Sequence, residues 1–131
     1  MPRILVAEDS QLMQLYYRQV LQAMPGWNLN LVRNGQEALD FIAKSGLPDL
    51  MVLDINMPVM DGLEFLDKFR GSAARTPAPV VVISTEGRED DVKRAMEAGA
   101  VAYLTKPFKA EDLQRTIRNL GPRAPGVGVG G

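Results

Sequence analysis

The chain has no cysteine and no histidine. The first absence removes disulfides, thiolate nucleophiles and thiolate metal sites, and it favours a cytoplasmic setting. The second removes imidazole acid–base catalysis and histidine-ligated zinc. An excess of one charge is also missing. Fifteen Lys and Arg face 16 Asp and Glu, for a net charge of −1, so there is no electrostatic footprint for nucleic acid or an anionic membrane. No apolar run reaches the ~18 residues that a membrane-spanning helix needs. The first strand pattern begins at Arg3, so no signal peptide is expected.

What is present fits one soluble domain: 131 residues, 46% apolar and 24% charged. Apolar runs alternate with helical stripes. Arg3–Ala7, Asn28–Val32, Asp49–Asp54, Val80–Ile83 and Val101–Leu104 read as strands. Leu12, Tyr16, Val20 and Ala23 recur near helical spacing, and Pro25-Gly26 ends that helix. Asn34 and Glu37 have capping-box spacing ahead of a second helix with Ala38, Phe41, Ile42 and Ser45 on its core face. Leu63, Leu66 and Phe69 mark a third helix, with Gly71 as its end, and Thr76-Pro77-Ala78-Pro79 follows as a stiff loop. A fourth helix over about 88–98 has only Val92, Ala95 and Met96 as anchors, with Gly99 as its C-cap. Leu113, Ile117 and Leu120 give the stripe of a fifth, and its acids at the start and Arg115 and Arg118 near the end suit the helix dipole. Five βα units predict an α/β fold, a doubly wound parallel sheet with helices on both faces. The domain is expected over 1–121, with 122–131 a Gly/Pro-rich flexible tail or truncated linker.

The strand ends hold the chemistry. The first runs into Glu8-Asp9, the third closes on Asp54, the fourth on Ser84-Thr85 and the fifth on Thr105-Lys106-Pro107. Open α/β sheets bind ligands at the carboxyl ends of their strands. Three carboxylates crowded there repel one another and raise pKa values. Mg²⁺, which takes oxygen ligands and keeps several waters, relieves that. Lys106 is placed to neutralise a phosphoryl group, and Ser84 to donate a hydrogen bond to it. Singly, each has a plainer reading: a turn or cap acid, a strand-end cap, a surface lysine whose X-Pro bond permits a cis peptide. Convergence on one sheet edge favours the pocket.

Glu8-Asp9, Asp54, the Met57-Pro58-x-x-Asp61-Gly62 loop, Ser84 and Lys106-Pro107-Phe108, in this order and spacing, resemble the receiver domain of bacterial two-component response regulators. The likeness runs from about Arg3 to Leu120. It implies a flavodoxin-like fold of five parallel strands in the order 2-1-3-4-5 with five helices. It implies that Asp54 is the phosphoacceptor, that Glu8, Asp9, Asp54 and the Asn56 backbone carbonyl bind Mg²⁺, and that Ser84 and Lys106 contact the phosphoryl group. Ser84 and Tyr103 would form the switch. The pair Asn56 and Glu86 would admit and orient water, giving a short-lived phosphoform. Glu8 departs from the more usual aspartate, and Thr85 from the usual small residue after the switch hydroxyl.

The donor would be a histidine kinase acting in trans, since this chain has no histidine. The output would be a protein target on the face of the fourth helix, fifth strand and fifth helix, with the chain a monomer or a phosphorylation-dependent dimer. Nothing after Leu120 is long enough for an output domain, which points to a single-domain regulator of the chemotaxis or motility type. A receiver fragment of a longer regulator is the alternative. The chain is expected not to be an enzyme beyond self-catalysed phosphotransfer and autodephosphorylation. A haloacid-dehalogenase-type phosphatase would need an acid two residues after the nucleophile, where Asn56 stands. A dinucleotide fold would need a helix after its glycines, and Gly126–Gly131 has none. A pseudo-receiver would not need so complete a pocket.

Overall fold

The computed structural model describes residues 1–73, 78–85 and 87–120, without the side chains of 70–73. The elements follow in strict alternation: β1 (Arg3–Ala7), α1 (Gln11–Gln22), β2 (Asn28–Val32), α2 (Gly35–Ser45), β3 (Leu50–Asp54), α3 (Gly62–Ala73), β4 (Val80–Thr85), α4 (Glu89–Glu97), β5 (Ala102–Lys106) and α5 (Ala110–Leu120). All strand pairs are parallel, in the order β2-β1-β3-β4-β5. The central strands are buried on both faces, which is why they read as unbroken apolar runs.

The two-residue period of a strand divides the core in two. Ile4, Val6, Leu50, Val52, Val81 and Ile83 pack with Tyr17, Val20 and Leu21 of α1 and Leu113 and Ile117 of α5. Leu5, Ala7, Met51, Leu53, Val80 and Val82 pack with Ala38 of α2, Phe65, Leu66 and Phe69 of α3 and Ala95 of α4. Phe65 and Phe69 stack with centroids 5.3 Å apart.

Several local expectations need correction. The buried face of α1 is Tyr17, Val20 and Leu21, continued by Met24 just past its end, while Leu12 and the capping Ala23 are exposed. Of the expected stripe Val20 is core and Tyr16 packs against it, while Leu12 is not used, because α1 carries more apolar residues than its contact face needs. Ser45 is exposed, and its carbonyl accepts a hydrogen bond from Arg3. Gly71 lies within α3, which runs on to Ala73. β5 starts one residue later than expected and includes Thr105 and Lys106. At α2 the Asn34 side chain accepts from the Glu37 N–H as expected, but the Glu37 carboxylate accepts from the N–H of Arg33, one residue before the cap. That bond, with the Arg33 guanidinium, holds the exposed Glu37 carboxyl below its usual value. The Thr76-Pro77 part of the stiff loop and the tail from 122 on lie outside the described residues.

The β3–α3 loop is what aims the end of β3. Val59 has a φ of 67° and the Met60 N–H donates back to the Pro58 carbonyl, a γ-turn on the strained side. The loop closes where the Gly62 N–H donates to the Ile55 carbonyl at 3.1 Å. A Cβ on Gly62 would lie 2.6 Å from the Asp54 carbonyl oxygen and 3.1 Å from the Ile55 Cα. Both are backbone atoms and cannot swing aside. Gly62→Ala is therefore expected to lower stability by about 1–3 kcal/mol, as other overpacked sites do. Urea unfolding checks this, and an unchanged midpoint would show that the loop gives way freely.

Candidate functional site

In the strand order 2-1-3-4-5 the connection from β1 leads to one side of the sheet and that from β3 to the other. The crevice between their carboxyl ends is the topological switch point. Glu8 and Asp9 follow β1 and Asp54 ends β3, so the fold itself brings the three acids together. One carboxylate oxygen from each lies within 4.8 Å of the other two. Glu8 and Asp54 are buried and Asp9 is exposed.

Each buried acid is held by more than one donor. Glu8 Oε2 accepts from the Ser10 N–H at 3.0 Å, and Ser10 itself caps α1 by accepting from the Met13 N–H. The Glu8 carbonyl accepts from Gln14 Nε2 at 2.7 Å. Asp54 Oδ1 accepts from the Asn56 N–H at 3.0 Å. Lys106 closes the arrangement: its Nζ donates to Glu8 Oε1 and to Asp54 Oδ2, both at 3.0 Å. The Lys106–Pro107 peptide is cis. The following Phe108 is fixed against α1, with its carbonyl accepting from the Tyr16 hydroxyl at 3.1 Å and its ring beside Tyr16 and Tyr17.

Burial raises the Glu8 carboxyl above its ordinary value and the charge of Asp54 adds to the rise, against the opposing pull of the Ser10 N–H and Lys106. Burial works against the Lys106 charge, yet hydrogen bonds and charges from Asp54 and Glu8 outweigh it and its pKa stands above that of a free lysine. Tyr17, buried behind the acids, is pushed up by burial and then by the charges of Glu8 and Asp54, so its hydroxyl stays protonated.

Ser84 and Thr85 divide as the strand period requires: Ser84 is buried and Thr85 exposed. Ser84 follows Ile83, the register partner of Asp54, and pairs with Thr105 on β5. It lines a groove of about 390 Å³ between β5 and α4, together with Arg88, Val92, Lys93 and Tyr103. Tyr103 is 52% exposed, so its ring stands at the groove rather than filling the space beside Ser84. Asn56 is exposed beside the pocket. Glu86 lies outside the described residues.

Two contributors escaped the sequence reading. Gln14 was an unremarked helix residue, and nothing in sequence marks a side chain that reaches back to a carbonyl. Arg88 stood only as the first residue of the expected fourth helix. It donates from one guanidinium nitrogen to Asn56 Oδ1 at 3.0 Å and from its Nε to Asp91 Oδ2 at 2.7 Å.

Comparison with known proteins agrees with this geometry. Residues 4–118 match the family described as the response regulator receiver domain, and the chain belongs to that family. It is 36% identical over 111 residues to the transcriptional regulatory protein PdtaR of Mycobacterium tuberculosis, covering 85% of this chain and 52% of that protein. It is 37% identical over 118 residues to the response regulator MprA of the same species, covering 90% and 50%. The chain thus spans about half the length of these relatives. Among solved structures it resembles the signal receiver domain of a signal transduction histidine kinase from Syntrophus aciditrophicus, with 32% identity, a TM-score of 0.81 and coverage of 92% and 89%. It also resembles the receiver domain of the sensor histidine kinase PA1611 from Pseudomonas aeruginosa, with 27% identity, a TM-score of 0.79 and coverage of 91% and 96%. The latter structure has a magnesium ion coordinated in its active-site cleft.

The ammonium of Lys106 is what lets Glu8 and Asp54 lie buried together. Without a divalent cation, Lys106→Met is expected to cost about 3 kcal/mol at neutral pH, as breaking a buried ion pair generally does. The sign with pH follows from the protons. In the variant Glu8 loses the lysine hydrogen bond and charge that oppose its burial, so its folded pKa rises further, the folded state holds more protons and stability recovers as pH falls through it. In the parent, the Lys106 contribution is complete below the unfolded lysine pKa and is lost as pH rises through its raised folded value. Denaturant melts from pH 4 to 8 in chelator check this, and a constant difference between the two proteins would contradict it.

Proposed function

We propose that this receiver domain takes a phosphoryl group from a phosphohistidine of a separate histidine kinase onto Asp54, and that the modified domain switches a partner protein. The observation that carries the reading is the position of Asp54. It is a buried carboxylate at the switch point with one oxygen on Lys106 and the other on the Asn56 N–H. An Asp54 oxygen forms the new bond to phosphorus as the P–N bond to the donor imidazole breaks, and the imidazole nitrogen keeps the electron pair. Phosphoryl transfer needs positioning and charge neutralisation above all. The Lys106 ammonium is already at the acceptor and is free to shift onto a phosphoryl oxygen.

Glu8, Asp9 and Asp54, with the Asn56 carbonyl, are the residues that would hold Mg²⁺. The convergence of three carboxylate oxygens, one of them exposed to solvent, suits a cation that keeps part of its water shell. When bound, Mg²⁺ supplies neutralisation of the phosphoryl charge. Beside the pocket, the exposed Leu12 and Leu15 border a recess of about 470 Å³ against Pro107 and Phe108. An apolar rim of this kind suits the approach of a donor protein.

Output rests on Ser84 and Tyr103. A phosphoryl oxygen that takes the Ser84 hydroxyl draws it toward Asp54 and opens space for the Tyr103 ring to turn inward from its exposed position. The face affected is α4, β5 and α5, and α4 has a single fully buried residue, Ala95. A chemotaxis or motility pathway was the sequence expectation, resting on the apparent lack of an output domain. The names of the relatives give it no support, and we assign no pathway. Among the described residues no helix is long and apolar enough to cross a membrane.

The test is incubation with acetyl phosphate and Mg²⁺, read by intact mass and by amide NMR shifts. One phosphoryl, about +80 Da, is expected on the parent, none on Asp54→Ala, and one on both Ser84→Ala and Tyr103→Ala. The shifts across 87–106 should be weakened in those last two. Phosphorylation of Asp54→Ala would defeat the acceptor assignment. Parent-like shifts in both switch variants would defeat the switch.

A further inference from the structure

Arg88 is the N-cap residue of α4, and its side chain makes no cap hydrogen bond. It spans instead from the helix to the acceptor loop. Its Nε donates to Asp91 Oδ2 at 2.7 Å, a terminal nitrogen pairs with the same carboxylate at 2.7 Å, and that terminal nitrogen also donates to Asn56 Oδ1 at 3.0 Å. Asp91 is itself a first-turn residue of α4, only 21% exposed, with Arg94 as a second cation at 3.8 Å. The guanidinium is thus braced at one end and committed to a single acceptor at the other. Asn56 meanwhile donates its own N–H to Asp54 Oδ1. An unbroken chain of hydrogen bonds therefore joins Asp54 to Asn56, Arg88 and the first turn of α4.

The consequence concerns the loss of the phosphoryl group. In that step a water oxygen forms a bond to phosphorus while the bond from phosphorus to the Asp54 oxygen breaks, giving inorganic phosphate and the free carboxylate. The water must present its lone pair to phosphorus, so its protons must point to an acceptor nearby. Asn56 Oδ1 is a neutral acceptor two residues after the phosphoacceptor, and the hydrogen bond from Arg88 directs it toward the start of α4. The fixed amide leaves its NH₂ as the free arm, and an NH₂ donates only. We infer that Arg88 is a positioning residue that lengthens the life of the phosphoform by holding the Asn56 amide oxygen away from the attacking water. This deepens the proposed phosphoacceptor function and rests on it. A lysine cannot replace this arginine. A point-like ammonium lacks the planar fork that binds Asp91 through two nitrogens while reaching Asn56.

The test is the decay of phosphoform made with acetyl phosphate and Mg²⁺, after removal of the donor, followed by intact mass. Arg88→Ala and Arg88→Lys are each expected to shorten the half-life by about threefold or more relative to the parent, read as a change in transition-state free energy. Asn56→Ala keeps the backbone carbonyl and removes the amide. In that background Arg88→Ala should leave the half-life nearly unchanged, because the group it controls is gone. A role limited to anchoring α4 would act in both backgrounds alike, so an equal effect in both overturns the inference. An unchanged or longer half-life in Arg88→Ala overturns it as well, while leaving Asp54 as acceptor. Failure of the parent to take up phosphate overturns both.

Discussion

Two carboxylates buried side by side are unstable unless something positive lies between them, and the rest of this molecule is arranged around that constraint. Lys106 supplies the charge from the end of β5, bonding Glu8 and Asp54 at equal distance. Its reach depends on the Phe108 anchor against α1, and the acids' positions depend on β1 and β3 being neighbours in the sheet. Desolvation alone would favour the protonated form of Glu8. With the ammonium present Glu8 still lies above its ordinary pKa, so its charge is only partly compensated. Asp9 adds a further negative charge at the rim. The site is therefore short of positive charge as it stands, and a cation or a change of partner relieves it.

The fold bears this because its chemistry and its core occupy different places. Both faces of the sheet are filled by aliphatic and aromatic side chains, and the polar groups collect at the strand ends. The close approach of Gly62 to the Asp54 carbonyl and the strained turn at Val59 turn the chain sharply just after the acceptor. Strain of this kind persists only where the surrounding structure holds it. On the other side α4 is held mainly by Ala95 and, in part, Val92, and by the Arg88 strap to Asn56. A weakly anchored element beside a rigid one is where a local change of charge can be converted into movement.

Much of this was legible beforehand. Buried parallel strands read as plain apolar runs, so β1, β3 and β4 stood out, and with them Glu8, Asp9, Asp54 and Ser84 at their ends and Lys106 at the end of β5. The face of α1 was partly misread because Leu12 is apolar without being core, and periodicity alone cannot separate the two. The Glu37 bond to Arg33 was invisible because capping-box spacing does not say which N–H a flexible carboxylate will choose. Arg88 and Gln14 were missed for a deeper reason. Long polar side chains act at the distance of their own length, across elements whose separation in space has no trace in their separation in sequence.

The account turns on the claim that the acid cluster is a charge deficit awaiting a cation. Thermal melts of the parent and of Asp9→Ala against Mg²⁺ concentration test it most directly, because Asp9 is exposed and its removal leaves the packing untouched. A ligand that binds only the folded state stabilises it by about 2.7 kcal/mol at one hundred times its dissociation constant. That corresponds to a rise of several degrees for a domain of this size. The parent's midpoint should climb with the logarithm of Mg²⁺ concentration, while Asp9→Ala should stay flat over the same range. Equal climbs in both proteins, or none in either, would contradict the account.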